Sequence, residues 1–261
     1  MTTYQKLSKQ PLAFVLAEFR FSPILEMEKY IPGLQDKLRQ SFPLMRTQQS
    51  QEFQLSPNGF EINTTTEWIL QSKNRKQAVT INRNRLVHIT SEYDRFDGFR
   101  EQCQATLDAL IQIVKPSLLL RVGLRYNDIL IGEDRENVED FVQDYLCKNN
   151  SLHPVGIPIS QTNEIILKTS EGHMVVRSMY GENTPPMWPD VGLPIEVTVN
   201  EEVQKRIFLD FDHFWEADSN QSNELQDFEL QNIIKKLENM HEGSRQAFWN
   251  ITTEKGRTKW K

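Results

Sequence analysis

At 261 residues, with 38% hydrophobic and 10% aromatic side chains, the chain is long enough to bury a sizeable core in one large domain or two ordinary ones. A formal charge of −6 excludes any general electrostatic pull toward nucleic acid or anionic lipid, so such binding would need a local basic patch. No run of about 18 apolar residues occurs, and the opening residues lack an apolar stretch of signal-peptide length, so a cytoplasmic protein without a membrane span is expected.

The two cysteines, Cys103 and Cys147, are too few for a disulfide framework and too widely spaced for a zinc site. Cys103 falls on the apolar stripe of a predicted helix, where packing is its expected role.

Leu12–Phe21 alternates apolar and polar side chains with a period of two and predicts a strand. Beyond Pro23, Met27, Ile31, Leu34 and Leu38 recur at helical spacing despite Pro32-Gly33. Four strands are then predicted. Phe53 and Leu55 should pair with Phe60 and Ile62 across Pro57-Asn58-Gly59, whose Asn and Gly accept the positive φ of a tight turn. Phe60–Gln71, Ala78–Ile81 and Leu86–Ser91 follow, separated by short basic turns. Phe96, Phe99, Cys103, Leu107, Leu110 and Val114 form the stripe of a closing helix that ends at Lys115-Pro116.

The same order then begins again. Ala17–Leu25 aligns with Val122–Leu130, matching Arg20 with Arg125 at an offset of 105 residues. After the strand Leu118–Leu130 come a helix near Val138–Leu146 and strands over Glu164–Thr169, Met174–Met179, Ile195–Val199 and Ile207–Phe211. A long helix from about Glu224 to Ile251 completes the copy, with Gly243 a candidate bend. The fold class expected is therefore α+β. It is a tandem duplication of a β-α-β-β-β-β-α unit over residues 1–116 and 117–261, with antiparallel sheets each covered by a long helix. Only Lys115-Pro116 separates the copies, which favours one pseudo-symmetric body; a continuous sheet and a sandwich are both open.

No phosphate-binding loop, dinucleotide fingerprint, nucleophile elbow or His-Glu-x-x-His is present, so no cofactor is expected and an enzyme is not favoured. Asp210 and Asp212, two apart on a strand, point the same way and could hold a hard divalent cation, which is the basis of an alternative, a metal-dependent phosphoesterase or nuclease. Two carboxylates without a third ligand are a weak signal, and an amphipathic strand showing charge to water is the simpler explanation. Arg20, Arg121 and Arg125 could converge near a pseudo-twofold axis and clamp an anionic ligand, or could each pair with an acidic side chain such as Glu18.

The basic turns Lys73–Lys76 and Arg83–Arg85 lie at opposite ends of one strand and make no single patch, so nucleic acid is not the expected partner. Gly181–Pro194, carrying Met187 and Trp188 among prolines, is an insertion of one copy suited to a lid or a protein partner, or equally to capping an open end of the core.

Arg121-Val122-Gly123-Leu124-Arg125-Tyr126-Asn127, the later Leu209-Asp210-Phe211-Asp212, and the ending from Met240-His241 through Arg245 and Phe248 to Trp260 resemble a sporadically distributed, uncharacterised prokaryotic family of this length. The likeness spans nearly the whole chain and carries no catalytic residues with it. A patchy distribution implies an accessory role in a mobile-element, phage-defence or toxin-antitoxin system. A non-catalytic binding or interaction protein is the leading expectation, and a carrier of an apolar small molecule is a further alternative.

Overall fold

The computed structural model describes residues 4–56, 59–133, 136–148, 152, 154–183, 193–200, 202–218 and 225–261. Strand β1 (Leu12–Phe21) leads through a 3₁₀ turn at Met27–Lys29 into helix α1 (Ile31–Leu38). Strands β2 (Leu44–Ser56), β3 (Gly59–Gln71), β4 (Gln77–Ile81) and β5 (Arg85–Thr90) precede helix α2 (Phe96–Ile113). The second half opens with β6 (Leu118–Ile131). It continues through β7 (Ser160–Thr169), β8 (Gly172–Asn183), β9 (Gln204–Glu216) and the short β10 (Gln226–Asp227) to helices α3 (Leu230–Ile251) and α4 (Glu254–Lys259).

The strands form one ten-stranded sheet in the order β2-β3-β4-β5-β1-β6-β9-β8-β7, with β10 pairing β6 off that path. Of the two arrangements left open by the sequence, the continuous sheet is the one adopted. Every pairing is antiparallel, and the two opening strands β1 and β6 lie side by side at its middle, with Val15 opposite Tyr126, Glu18 opposite Gly123 and Arg20 opposite Arg121. The predicted hairpin holds its register, Phe53 opposite Ile62 and Leu55 opposite Phe60.

Alternation decides which face is buried. Val15, Ala17, Phe19 and Phe21 of β1 and Val122, Leu124 and Tyr126 of β6 share one apolar cluster with Leu34 of α1, Phe99, Cys103 and Leu107 of α2, and Ile233, Leu237 and Met240 of α3. Each fully buried side chain of this size contributes roughly 1.5–3 kcal/mol by leaving water, which makes this face the main source of stability. Pro32 sits in the first turn of α1, where a missing N–H matters least. Gly33 lets α1 approach α2, since a Cβ there would lie 3.3 Å from Ile113 Cγ2. The opposite face is polar at the centre but carries a small apolar cluster of Phe14, Ile69, Ala78, Ile89 and Ile195.

Three local expectations need correction. Ile195–Val199 is not a strand: β8 pairs β9 continuously from His173–Phe214 to Asn183–Gln204, leaving no ladder position for it. Its alternating Ile195 and Val197 instead lie against the first half's sheet. The Glu196 N–H donates to the Arg75 carbonyl at 2.8 Å and the Ser91 hydroxyl donates to the Glu196 carbonyl at 2.7 Å.

The helix near Val138–Leu146 is two 3₁₀ turns, Val138–Phe141 and Asp144–Leu146. Between them Val142 bridges to Thr252 and the Gln143 N–H donates to the Ile251 carbonyl, so this segment is held by the α3–α4 junction rather than by its own turns. Helix α3 begins at Leu230, because Gln226–Asp227 is drawn into pairing with Leu119 and Leu118. That helix runs unbroken through Gly243, where a Cβ would come within 3.0 Å of the buried His213 ring, so the glycine is a point of close approach.

Candidate functional site

The central polar face holds the arginines. Glu18 projects between Arg20 and Arg121, accepting from Arg20 Nε at 2.6 Å and from Arg121 Nε at 3.3 Å. Arg121 also donates to Glu216 at 3.1 Å and lies 3.9 Å over the Phe214 ring. Arg125 is buried two pleat repeats further along β6, and its Nε and one terminal nitrogen donate to the two oxygens of Asp210 at 2.6 and 2.8 Å. Arg177 adds a third bond to Asp210 at 3.0 Å and is itself tied to Glu164.

The structure thus brings Arg20 and Arg121 together on one carboxylate and places Arg125 on another. Asp210 and Asp212 do point the same way. The oxygens of Asp210 are engaged by two guanidinium groups, however, and among the described residues no group of three His, Cys, Asp or Glu side chains is arranged to hold a metal ion. Burial raises the Asp212 carboxyl, and the Arg125 and Arg121 charges oppose that rise. Met187 and Trp188 lie outside the described residues.

The other face holds a feature the sequence reading did not single out, a cavity of about 490 Å³. Its walls come from residues 4–12, the loop 93–97 leading into α2, the inward positions Tyr126 and Asp128 of β6, Phe211 of β9, and one side of α3 from His241 to Trp249. Helical spacing puts His241, Ser244, Arg245 and Phe248 on that side together. Period-two alternation puts Asp128 inward with Val122, Leu124 and Tyr126.

The inner wall is aromatic, and its polar groups are uncharged at neutral pH. The His241 ring stacks on Phe96 at 4.0 Å with planes 4° apart, and its Nδ1 lies 2.8 Å from the Tyr126 hydroxyl. Burial, assisted by the Arg245 charge, lowers His241 to about 4, so the ring is a neutral hydrogen-bonding group. Burial raises the Tyr93 phenol to about 12 and pushes the Tyr126 phenol well up, so neither is a base.

Asp128 is 5% exposed, and burial, with the Asp210 charge behind it, raises it to about 8. No hydrogen-bond or ion-pair partner meets its carboxyl among the described residues. The Ser244 hydroxyl is likewise buried without a partner. At the mouth, Lys6 pairs with Asp94, and Arg245 pairs with Glu242 while stacking 4.3 Å over Tyr4. The Gln10 amide donates to the Tyr93 carbonyl at 2.5 Å and fastens the segment that closes one side.

One signal for this site was present in the sequence: Asp128 is an acid at an inward position of an otherwise apolar strand face. No protein-family model, no curated protein and no solved structure matches this chain.

Proposed function

We propose that the chain is a binding protein for a small organic molecule, held in the cavity between α3, β6 and the amino-terminal segment. The observation that carries this reading is the buried Asp128 carboxyl, without a hydrogen-bond or ion-pair partner among the described residues, in the wall of an aromatic-lined space of ligand size. Cavities of roughly 300–1,000 Å³ with aromatic walls and a few convergent polar groups are the usual form of small-molecule sites. An orphaned buried carboxyl is expensive unless something supplies its hydrogen bond. The cavity favours the carrier alternative over the arginine face, whose guanidinium groups are occupied by Glu18, Glu216 and Asp210. It alters that alternative in one respect, since Asp128 and Ser244 make part of the wall polar.

The finer account of the fold belongs to the same proposal. An ancestral unit was doubled, and the two copies meet at β1 and β6. The alignment that superposes Arg20 on Arg125 also superposes Glu18 on Gly123, and these two stand opposite each other across the seam, as residues on a local twofold axis must. The sheet order supports the reading, because each half places its opening strand at the centre beside its own last long strand, β5 for β1 and β9 for β6.

Binding is tested by native mass spectrometry of the purified protein and by fluorescence titration with a panel of small aromatic compounds, using Trp249→Phe to assign the response. Expected are a bound mass lost on denaturation, or a saturable fluorescence change absent in Trp249→Phe. A native mass equal to that of the bare polypeptide, together with a panel that moves neither fluorescence nor melting temperature, refutes the reading.

A further inference from the structure

Two carboxylates are buried among the described residues, Asp210 and Asp128, and the protein treats them oppositely. Asp210 is surrounded by Arg125 and Arg177. Asp128, on the other face of the sheet, has no ion-pair partner among the described residues. The groups around it are Tyr126 of its own strand, Tyr93 from the loop before α2, and His241 and Arg245 from α3, with Asp210 behind it on β9.

Three basic groups line the cavity, Lys6, Arg95 and Arg245, and two of them are tied to carboxylates at its edge. Arg245 is paired with Glu242 and stacked on Tyr4, and Lys6 is paired with Asp94. The wall around Asp128 therefore combines aromatic ring faces with one acid that has no ion-pair partner among the described residues. That combination recognises organic ammonium ions: rings attract a cation through their negative faces, and a carboxylate supplies the opposite charge.

Resting on the small-molecule reading above, we infer that the ligand is an organic cation, an amine or quaternary ammonium compound, whose charged nitrogen is met by the Asp128 carboxylate among the Tyr93, Tyr126 and Phe96 rings. No bond is made or broken. Because the empty site holds Asp128 as the neutral acid, cation binding expels its proton to solvent, and the ligand takes the proton's place as counter-charge. His241 and Tyr93 titrate near 4 and 12, well outside the interval between pH 6 and 8, so a proton released there belongs to Asp128.

The test compares phenyltrimethylammonium with its uncharged isostere tert-butylbenzene by calorimetric titration of the full chain. The cation should bind at least about tenfold more tightly than the isostere. Its affinity should rise by about tenfold per pH unit between pH 6 and 8, with release of close to one proton read from buffers of different ionisation enthalpy. Asp128→Asn should abolish both the preference and the slope.

Equal affinity for cation and isostere, with no proton released by the wild type, overturns the cation assignment while leaving the small-molecule reading intact. Failure of both probes, along with every member of the fluorescence panel, overturns the two together. The isostere comparison and the proton count use the wild-type protein, so they decide the matter even if Asp128→Asn folds poorly.

Discussion

Arg125 and Asp210 sit on neighbouring central strands and share a two-pronged contact, Nε and a terminal nitrogen to the two carboxylate oxygens at 2.6 and 2.8 Å, with both side chains nearly withdrawn from water. A buried pair of this kind contributes little beyond what well-packed apolar residues would, but removing one partner strands the other charge. Asp210→Ala should therefore destabilise the protein by about 3–5 kcal/mol in urea denaturation. Arg177→Ala, at a side chain 26% exposed, should cost about 1 kcal/mol or less. Equal losses for the two variants would show that the contact does not behave as a desolvated pair.

Gly243 and Gly98 make a matched comparison. Both lie within helices, where alanine is favoured by about 1 kcal/mol. A Cβ at Gly98 meets nothing within 4 Å, so Gly98→Ala should raise the melting temperature. At Gly243 the new methyl would press on His213, whose ring is pinned on both sides, Nδ1 3.0 Å from the Met240 carbonyl and Nε2 2.9 Å from the Thr169 hydroxyl. Overpacking of about 1–3 kcal/mol then outweighs the helical gain, and Gly243→Ala should melt about 2–4 °C lower. A higher melting temperature in Gly243→Ala would mean that His213 can move.

The pH dependence of stability should carry the mark of Asp128. Its folded pKa, about 8, lies above that of an unfolded aspartate, so its contribution is present at low pH and is lost as pH rises through 8. Between about pH 7.5 and 8 the buried histidines are close to neutral in both states, and Asp128 dominates. Stability of the wild type should fall by up to about 1.4 kcal/mol per pH unit there, while Asp128→Asn should be flat. Parallel profiles for the two proteins would exclude the shift.

On the acid side the sign reverses. His88 is fully buried against Thr106, with its ring edge-on to Phe42 and Phe99, and burial, opposed in part by the neighbouring Gln102 side chain, lowers it to about 4. Its stabilising contribution is complete above pH 6.5 and is lost as pH falls toward 4, by roughly 3 kcal/mol in all. His241 adds a loss of the same sign. Equilibrium unfolding at pH 4.5 should therefore be less sensitive to acid in His88→Leu than in the wild type, and an unchanged acid limb would count against a neutral buried ring.

The regular elements were legible where periodicity was unbroken. The alternation of Leu12–Phe21 and the stripe from Phe96 to Leu110 read directly onto β1 and α2, because one buried face imposes one period. Ile195 and Val197 alternate too, but period two says only that one side is buried, and here it is buried under a neighbour instead of within a ladder. The role of Gly243 was hidden because it depends on His213, brought close only by the fold.

The cavity was harder still. Asp128, Tyr93 and His241 come from β6, the loop before α2 and α3, and nothing in their spacing places them around a common space. The arginines were visible as candidates, yet their use depended on Asp210, 85 residues from Arg125 along the chain.

The central seam also constrains how the molecule is made. β1 acquires β5 once residue 90 exists, but its other neighbour, β6, is not complete until residue 131. A ribosome therefore displays β1 with one row of peptide groups unmet while the stretch in between is synthesised. A polypeptide stopped short of β6 would leave that edge open to any passing strand, which makes premature termination in this interval a source of aggregation and not merely of a smaller protein.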